Sequence, residues 1–188
     1  MRLLHTLAVS ILIAGSAAAA TVPRPAPEFA VRMPNGSQIL LTQYRGKVVL
    51  LEFLYTTCPH CQNASKIMNR LQTEYGPKGF QAIGVAFNEM ANMLVPDFVR
   101  DFNVNYPVGS SPREPITNFL QANDNEALHV PQLVFIDKKG VIRHQSLQQG
   151  DAVTATEANM RKMIQELLAE PAPASSRRSA TPAKKKAS

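Results

Sequence analysis

The run VVLLEFLY, residues 48–55, restricts the fold more than any other stretch of this chain. Its residues are apolar, β-branched or aromatic except Glu52, and they do not alternate as a strand with one wet face would. Such a run fits a strand covered on both faces, the situation of a strand inside a parallel sheet. Residues 58–75 follow with helical spacing: Ala64, Ile67, Met68, Leu71 and Tyr75 fall on one side, and Gly76-Pro77-Lys78-Gly79 stops the helix. FQAIGVAF, residues 80–87, reads as a second buried strand. A strand, a helix and a second strand parallel to the first close right-handed.

The remaining elements extend this unit into a single α/β domain with a mixed sheet. EFAVRM and SQILL flank Asn35-Gly36, a strong turn signal, and predict an N-terminal hairpin. A helix is expected near residues 91–103, an extended piece near Asn105–Gly109 and a short helix near residues 115–121. QLVFID and VIRHQSLQ around Lys138-Lys139-Gly140 predict an antiparallel hairpin. Residues 154–169 predict a last helix with Met160, Met163, Ile164, Leu167 and Leu168 on its apolar side.

The 188 residues divide into residues 1–20, a domain over 21–170 and a tail over 171–188. Residues 1–20 have the layout of a secretory signal peptide: Arg2, an apolar run from Leu7 to Ala14, and small residues before the expected cut at Thr21. The competing reading, an uncleaved anchor, is weakened by His5, Thr6 and Ser10 and by the shortness of the apolar stretch. The protein is therefore expected outside the cytoplasm, in a periplasm or its equivalent, where disulfides persist. Of the net charge of +6, Arg2 supplies one and the tail five, leaving 14 basic against 14 acidic side chains in residues 21–170. The basicity belongs to a Pro-, Ala-, Ser- and Lys-rich tail suited to contact with anionic envelope surfaces. Nucleic acid is not an expected partner for a neutral exported domain.

The chain's two cysteines, Cys58 and Cys61, stand three apart at the expected junction of strand and helix. As a staple the pair would contribute little, because a disulfide stabilises chiefly by closing a long loop of the unfolded chain. A structural zinc needs four ligands, and only one such pair exists. Redox chemistry is the reading that remains strongest, with a metal role and an inert bridge as its rivals. Cys58 at a helix N-terminus meets unpaired N–H groups and the positive end of the dipole, which favour an anionic sulfur able to attack or leave. Cys61, one turn in, is shielded and able to resolve a mixed disulfide.

With these elements in place the chain resembles the thioredoxin fold, an α/β sandwich with a mixed β-sheet flanked by helices, here carrying an N-terminal β-hairpin extension. It is most similar to the exported TlpA-like thiol–disulfide oxidoreductases over residues 27–169. The resemblance implies exchange of disulfides with protein substrates through the Cys58/Cys61 dithiol, recharging by a membrane or periplasmic redox partner, and no cofactor beyond the redox-active disulfide. It implies that Val130-Pro131 forms a cis-proline loop against the dithiol that offers backbone groups to substrate. It also implies that Glu52, six residues before Cys58, is a buried carboxylate with a raised pKa that shuttles the Cys61 proton. The alternative for Glu52 is an outward or edge position, or a pair with Lys78. His60, between the cysteines with Pro59, can stabilise the Cys58 thiolate.

Two departures complicate the resemblance. Pro59-His60, with Val130 before Pro131, resembles the oxidant DsbA, although the interval between FQAIGVAF and Pro131 is too short for that protein's helical insertion. Thr57 stands where the TlpA-like family commonly has Trp, so the substrate-facing platform is altered. Other readings stay open. A peroxiredoxin-type peroxidase would need Pro and Thr or Ser where this chain has Leu51 and Tyr55. A Sco-like copper-binding metallochaperone would use the cysteines with His129 or His144, or Met90 and Met93, although its cysteines are spaced differently. The plainer expectation for that Met pair is helix core.

Overall fold

The computed structural model describes residues 21–123, 125–151 and 154–171. The expected signal peptide and all but the first residue of the expected tail lie outside the described residues. Eight strands form one mixed sheet: β1 (Arg24–Pro25), β2 (Ala30–Arg32), β3 (Gln38–Leu40), β4 (Val48–Leu54), β5 (Phe80–Ala86), β6 (Val108–Ser110), β7 (Gln132–Ile136) and β8 (Val141–Gln145). Their spatial order is β1-β8-β7-β4-β5-β6-β2-β3. The apolar run at residues 48–54 is central, parallel to β5 and antiparallel to β7, and every residue of it is buried. This explains why it never alternates: neither face of it meets water.

Side chains two apart share a face. Val48, Leu50 and Leu54 enter one core with Cys61, Ala64, Met68 and Leu71 of helix α1 (Pro59–Tyr75). Helices α2 (Ala91–Asp101) and α4 (Glu157–Ala169) cover the same side. Val49, Leu51 and Phe53 point the other way, toward α3 (Arg113–Leu120) and the N-terminal segment. Phe29, Phe53 and Phe119 meet there with ring centroids 5.2–5.7 Å apart. Glu52 has the parity of Leu50 and Leu54, so strand geometry alone sends its carboxyl toward α1.

Several expectations needed correction. The Pro-rich start, to which no element was assigned, contains β1, which pairs with β8 at Arg24↔Ile142 and Pro25↔Val141. Pro25 is compatible with this because β1 is the outermost strand and needs hydrogen bonds on one side only. Arg24 is buried and donates through Nη2 to Phe119 O at 2.9 Å and Gln145 Oε1 at 2.7 Å, tying β1 to the last turn of α3. The hairpin strands are three residues each, shorter than EFAVRM and SQILL. Helix α4 begins at Glu157, where Thr156 caps it by accepting from Asn159 N. Met90 and Met93, expected in helix core, are 61% and 64% exposed, because Met90 is the N-cap of α2 and both lie on its outer side. Among the described residues, no helix is long and apolar enough to cross a membrane.

Candidate active site

The site lies where β4 gives way to α1. Cys58 has extended dihedrals (φ −82°, ψ 120°) and is the N-cap of α1, with Pro59 in the first turn. Its N–H donates to Tyr55 O at 3.1 Å and its carbonyl accepts from Gln62 N at 3.0 Å. No side chain caps the helix, so its leading N–H groups face the Cys58 end unmatched. The approach to Cys58 is braced from both flanks. Asn88, just after β5, accepts from Thr56 N at 3.0 Å and donates to Thr56 Oγ1 at 3.1 Å, while Gln62 Nε2 donates to Thr56 O at 3.0 Å. The Tyr55 and Phe87 rings meet edge-on at 4.6 Å.

Both cysteines are free thiols, Cys58 partly exposed and Cys61 buried. Burial pushes the Cys61 thiol far above its ordinary range, and the neighbouring Glu52 carboxylate pushes it the same way, against a hydrogen bond involving the Tyr55 backbone. Glu52 is fully buried, which overturns the edge position considered for it. Nor is it paired with Lys78, whose ammonium lies 4.8 Å above the Tyr75 ring. Its Oε2 accepts from Ser65 Oγ at 3.1 Å and its Oε1 has no partner. Burial raises the carboxyl to about 8, and the Ser65 hydrogen bond offsets part of that rise. The buried Tyr106 hydroxyl lacks a hydrogen bond of normal geometry; burial foremost, then the Glu52 charge, raises it, with Ser65 acting in the opposite sense.

The Val130–Pro131 peptide is cis. It enters β7 beside the dithiol, with Val130 O 4.0 Å from Cys58 Sγ. Thr57, Pro59 and His60 are exposed around the sulfur, and His60 makes no hydrogen bond or ion pair within the described residues. The structure thus gathers Cys58, Cys61, Glu52, Val130 and Pro131 and leaves His60 on the rim. Sequence reading missed Ser65, Tyr106 and Asn88. Ser65 could have been found, since it stands four residues after Cys61 and so shares its helix face. Tyr106, in the loop before β6, carries no such periodic signal.

No group of three or more His, Cys, Asp or Glu able to hold a metal ion occurs among the described residues. His144 lies on β8 with Nε2 3.1 Å from Thr154 Oγ1, and His129 is exposed. A groove of about 420 Å³ on the α3 side, lined by Phe29, Arg32, Ser110 and Phe119 among others, does not include the dithiol.

A strand, a dithiol at a helix start and a cis-proline loop in a mixed sheet define a thioredoxin-fold protein with a CxxC site. Comparison with known proteins agrees. The chain belongs to the AhpC/TSA family, which matches residues 22–145. It is 32% identical over 87 residues to the thiol-disulfide oxidoreductase ResA of Bacillus thuringiensis subsp. konkukian, covering 46% of this chain and 50% of that protein. It is 28% identical over 125 residues to ResA of Geobacillus thermodenitrificans, covering 66% and 68%. The chain thus spans half the length of the former relative. Among solved structures, a thiol:disulfide interchange protein of the thioredoxin family from Chlorobium tepidum TLS superposes with a TM-score of 0.66 at 24% identity, covering 80% of this chain and 99% of that one. A thiol:disulfide interchange protein from Bacteroides sp. gives 0.63 at 17%, covering 79% and 93%. The relatives support the TlpA-like resemblance, and the solved structures support the fold.

Proposed function

We propose that the protein is an extracytoplasmic thiol–disulfide oxidoreductase that exchanges disulfides with protein substrates through Cys58 and Cys61. The observation that carries this reading is the asymmetry of the pair: one sulfur is reachable at the helix cap, the other buried against a carboxyl poised near 8. In the reducing direction the Cys58 thiolate attacks one sulfur of a substrate disulfide, forming a mixed disulfide and expelling the other sulfur as a thiolate that takes up a proton. Cys61 then gives its proton to ionised Glu52 and attacks Cys58 Sγ. The mixed disulfide breaks, the second substrate thiol leaves, and the Cys58–Cys61 disulfide holds the oxidation equivalent of the two electrons transferred. In the oxidising direction the same steps run backward. Export rests on the layout of residues 1–20, and the basic tail is suited to anionic envelope surfaces.

A peroxidase reading has the family match in its favour, but Leu51 and Tyr55 stand where that chemistry would need Pro and Thr or Ser. The test is equilibration of the purified protein with glutathione buffers, followed by alkylation and mass analysis. The couple should titrate as one two-electron step, Cys61→Ser should accumulate a mixed disulfide, and Cys58→Ser should form none. A wild-type protein that neither equilibrates with glutathione nor reduces insulin would sink the proposal. A potential near that of DsbA, about −120 mV, would make the protein a disulfide donor, and one near that of thioredoxin, about −270 mV, a reductant.

A further inference from the structure

We propose that Gln132, the residue after cis-Pro131, is a positioning residue that holds the Val130-Pro131 loop in register for an incoming substrate backbone; this rests on the thiol–disulfide reading above. Gln132 is 1% exposed and opens β7, the only polar side chain within that strand. Its single amide group donates to two carbonyls, His129 O at 2.7 Å and Leu147 O at 2.9 Å. The first lies just before Val130-Pro131, and the second lies just beyond β8. The two segments are joined again by His129 N, which donates to Gln148 O at 3.0 Å. On the next step along the sheet, Ser146 Oγ accepts from Leu133 N at 3.2 Å and Ser146 N donates to Leu133 O at 2.9 Å. Side chains therefore take over where the β7–β8 ladder ends, and they fasten the proline loop to the chain leaving β8.

The consequence falls on Val130. With both backbone groups of His129 engaged, and Pro131 lacking an N–H, the Val130 N–H is the one backbone donor of this tripeptide without a partner in the described residues. Its carbonyl is the group 4.0 Å from Cys58 Sγ. With His129 held on both sides, Val130 presents its N–H and its carbonyl beside the reactive sulfur. An extended substrate segment can use them as a strand uses its neighbour. Pre-fixing the loop lowers the ordering cost that substrate binding would otherwise bear. Leu147, 60% exposed, stands at the same bracket and adds an apolar surface next to those groups.

The decisive variant is Gln132→Met, which keeps the buried length and removes both donated hydrogen bonds. With insulin as substrate, KM should rise about tenfold with kcat nearly unchanged. The glutathione equilibrium of the Cys58–Cys61 couple should stay within about twofold of wild type, since the dithiol itself is untouched. An unchanged KM would overturn the proposal, and so would a shifted equilibrium, which would mean that Gln132 acts on the dithiol. If Gln132→Met fails to fold, the intact protein decides by nuclear magnetic resonance: the Gln132 side-chain amide protons should exchange far more slowly than those of exposed Gln149, and a bound cysteine peptide should shift the Val130 amide. An unprotected Gln132 amide would refute the bracket. Failure of wild type in the glutathione equilibration would instead strike the thiol–disulfide reading itself.

Discussion

Glu52 is a carboxyl with no counter-charge in a fully buried strand, held by one hydroxyl and left with one oxygen unmatched. Its cost is tolerated because protonation removes most of it, and a carboxyl raised to about 8 exchanges its proton near neutrality. This suits it to receive the proton of Cys61, whose own thiol is driven up by the same burial. In single-turnover decay of a Cys58 mixed disulfide, the wild-type rate should climb with pH through about 8 as Glu52 ionises. Glu52→Gln should slow decay about a hundredfold near pH 7 and remove that inflection. Ser65→Ala takes away the hydrogen bond that favours the carboxylate, so the inflection should move to higher pH with Glu52 still in place. An unmoved inflection in Ser65→Ala would show that the hydroxyl does not govern the carboxyl. The carboxyl was legible in the sequence because a lone charge interrupts an apolar run. Its tuning by Ser65 and Tyr106 was not, since that depends on which face α1 and the loop before β6 turn toward the strand.

Among the elements, β4, α1 and β5 were legible nearly to their ends because burial on both faces, helical spacing and Pro59 at the helix start all point the same way. The hairpin of β2 and β3 was legible through its Asn35-Gly36 turn, and Gly36 indeed adopts φ +83°. What stayed hidden was β1, a two-residue edge strand whose pairing is set by Arg24 and β8 rather than by any local pattern. The seam between the hairpin and the central sheet was equally invisible. It depends on Gly109 of β6, where a Cβ would lie 2.4 Å from Arg32 O and 2.7 Å from Val31 Cγ1. Backbone cannot yield there without breaking the single Arg32↔Ser110 pairing that joins β2 to β6. Gly109→Ala should therefore destabilise the fold by about 2–3 kcal/mol in urea titration. A loss below a few tenths of a kcal/mol would mean that the hairpin is not held through this strand.

At the scale of the whole molecule the same buried groups set how stability responds to pH. A carboxyl raised from 4.5 to about 8 keeps its proton in the folded state while the unfolded chain has lost its own. Between those values the folded state binds more protons, so stability falls as pH rises, opposite to the usual behaviour of paired carboxylates. The contribution is fully present below about 4.5 and is lost by about 8, and it amounts to a few kcal/mol for so large a rise. Above the ordinary thiol range the buried Cys61 adds a decline of the same sign, because it too keeps a proton that the unfolded chain gives up. The salt bridges lie mostly near the surface, as with Arg70–Glu157 and Arg161–Glu74, and pull their carboxylates the other way with less force. The reduced protein should consequently melt at a higher temperature near pH 5 than near pH 8. In Glu52→Gln the difference should shrink to what the surface pairs and other groups leave, and the diagnostic is the slope rather than the offset, since the buried amide brings its own unsatisfied hydrogens. Calorimetric melts of both proteins across pH 5–8 decide it: parallel curves would mean that the Glu52 carboxyl is hydrated or neutralised in solution, and its role as proton acceptor for Cys61 would fall with it.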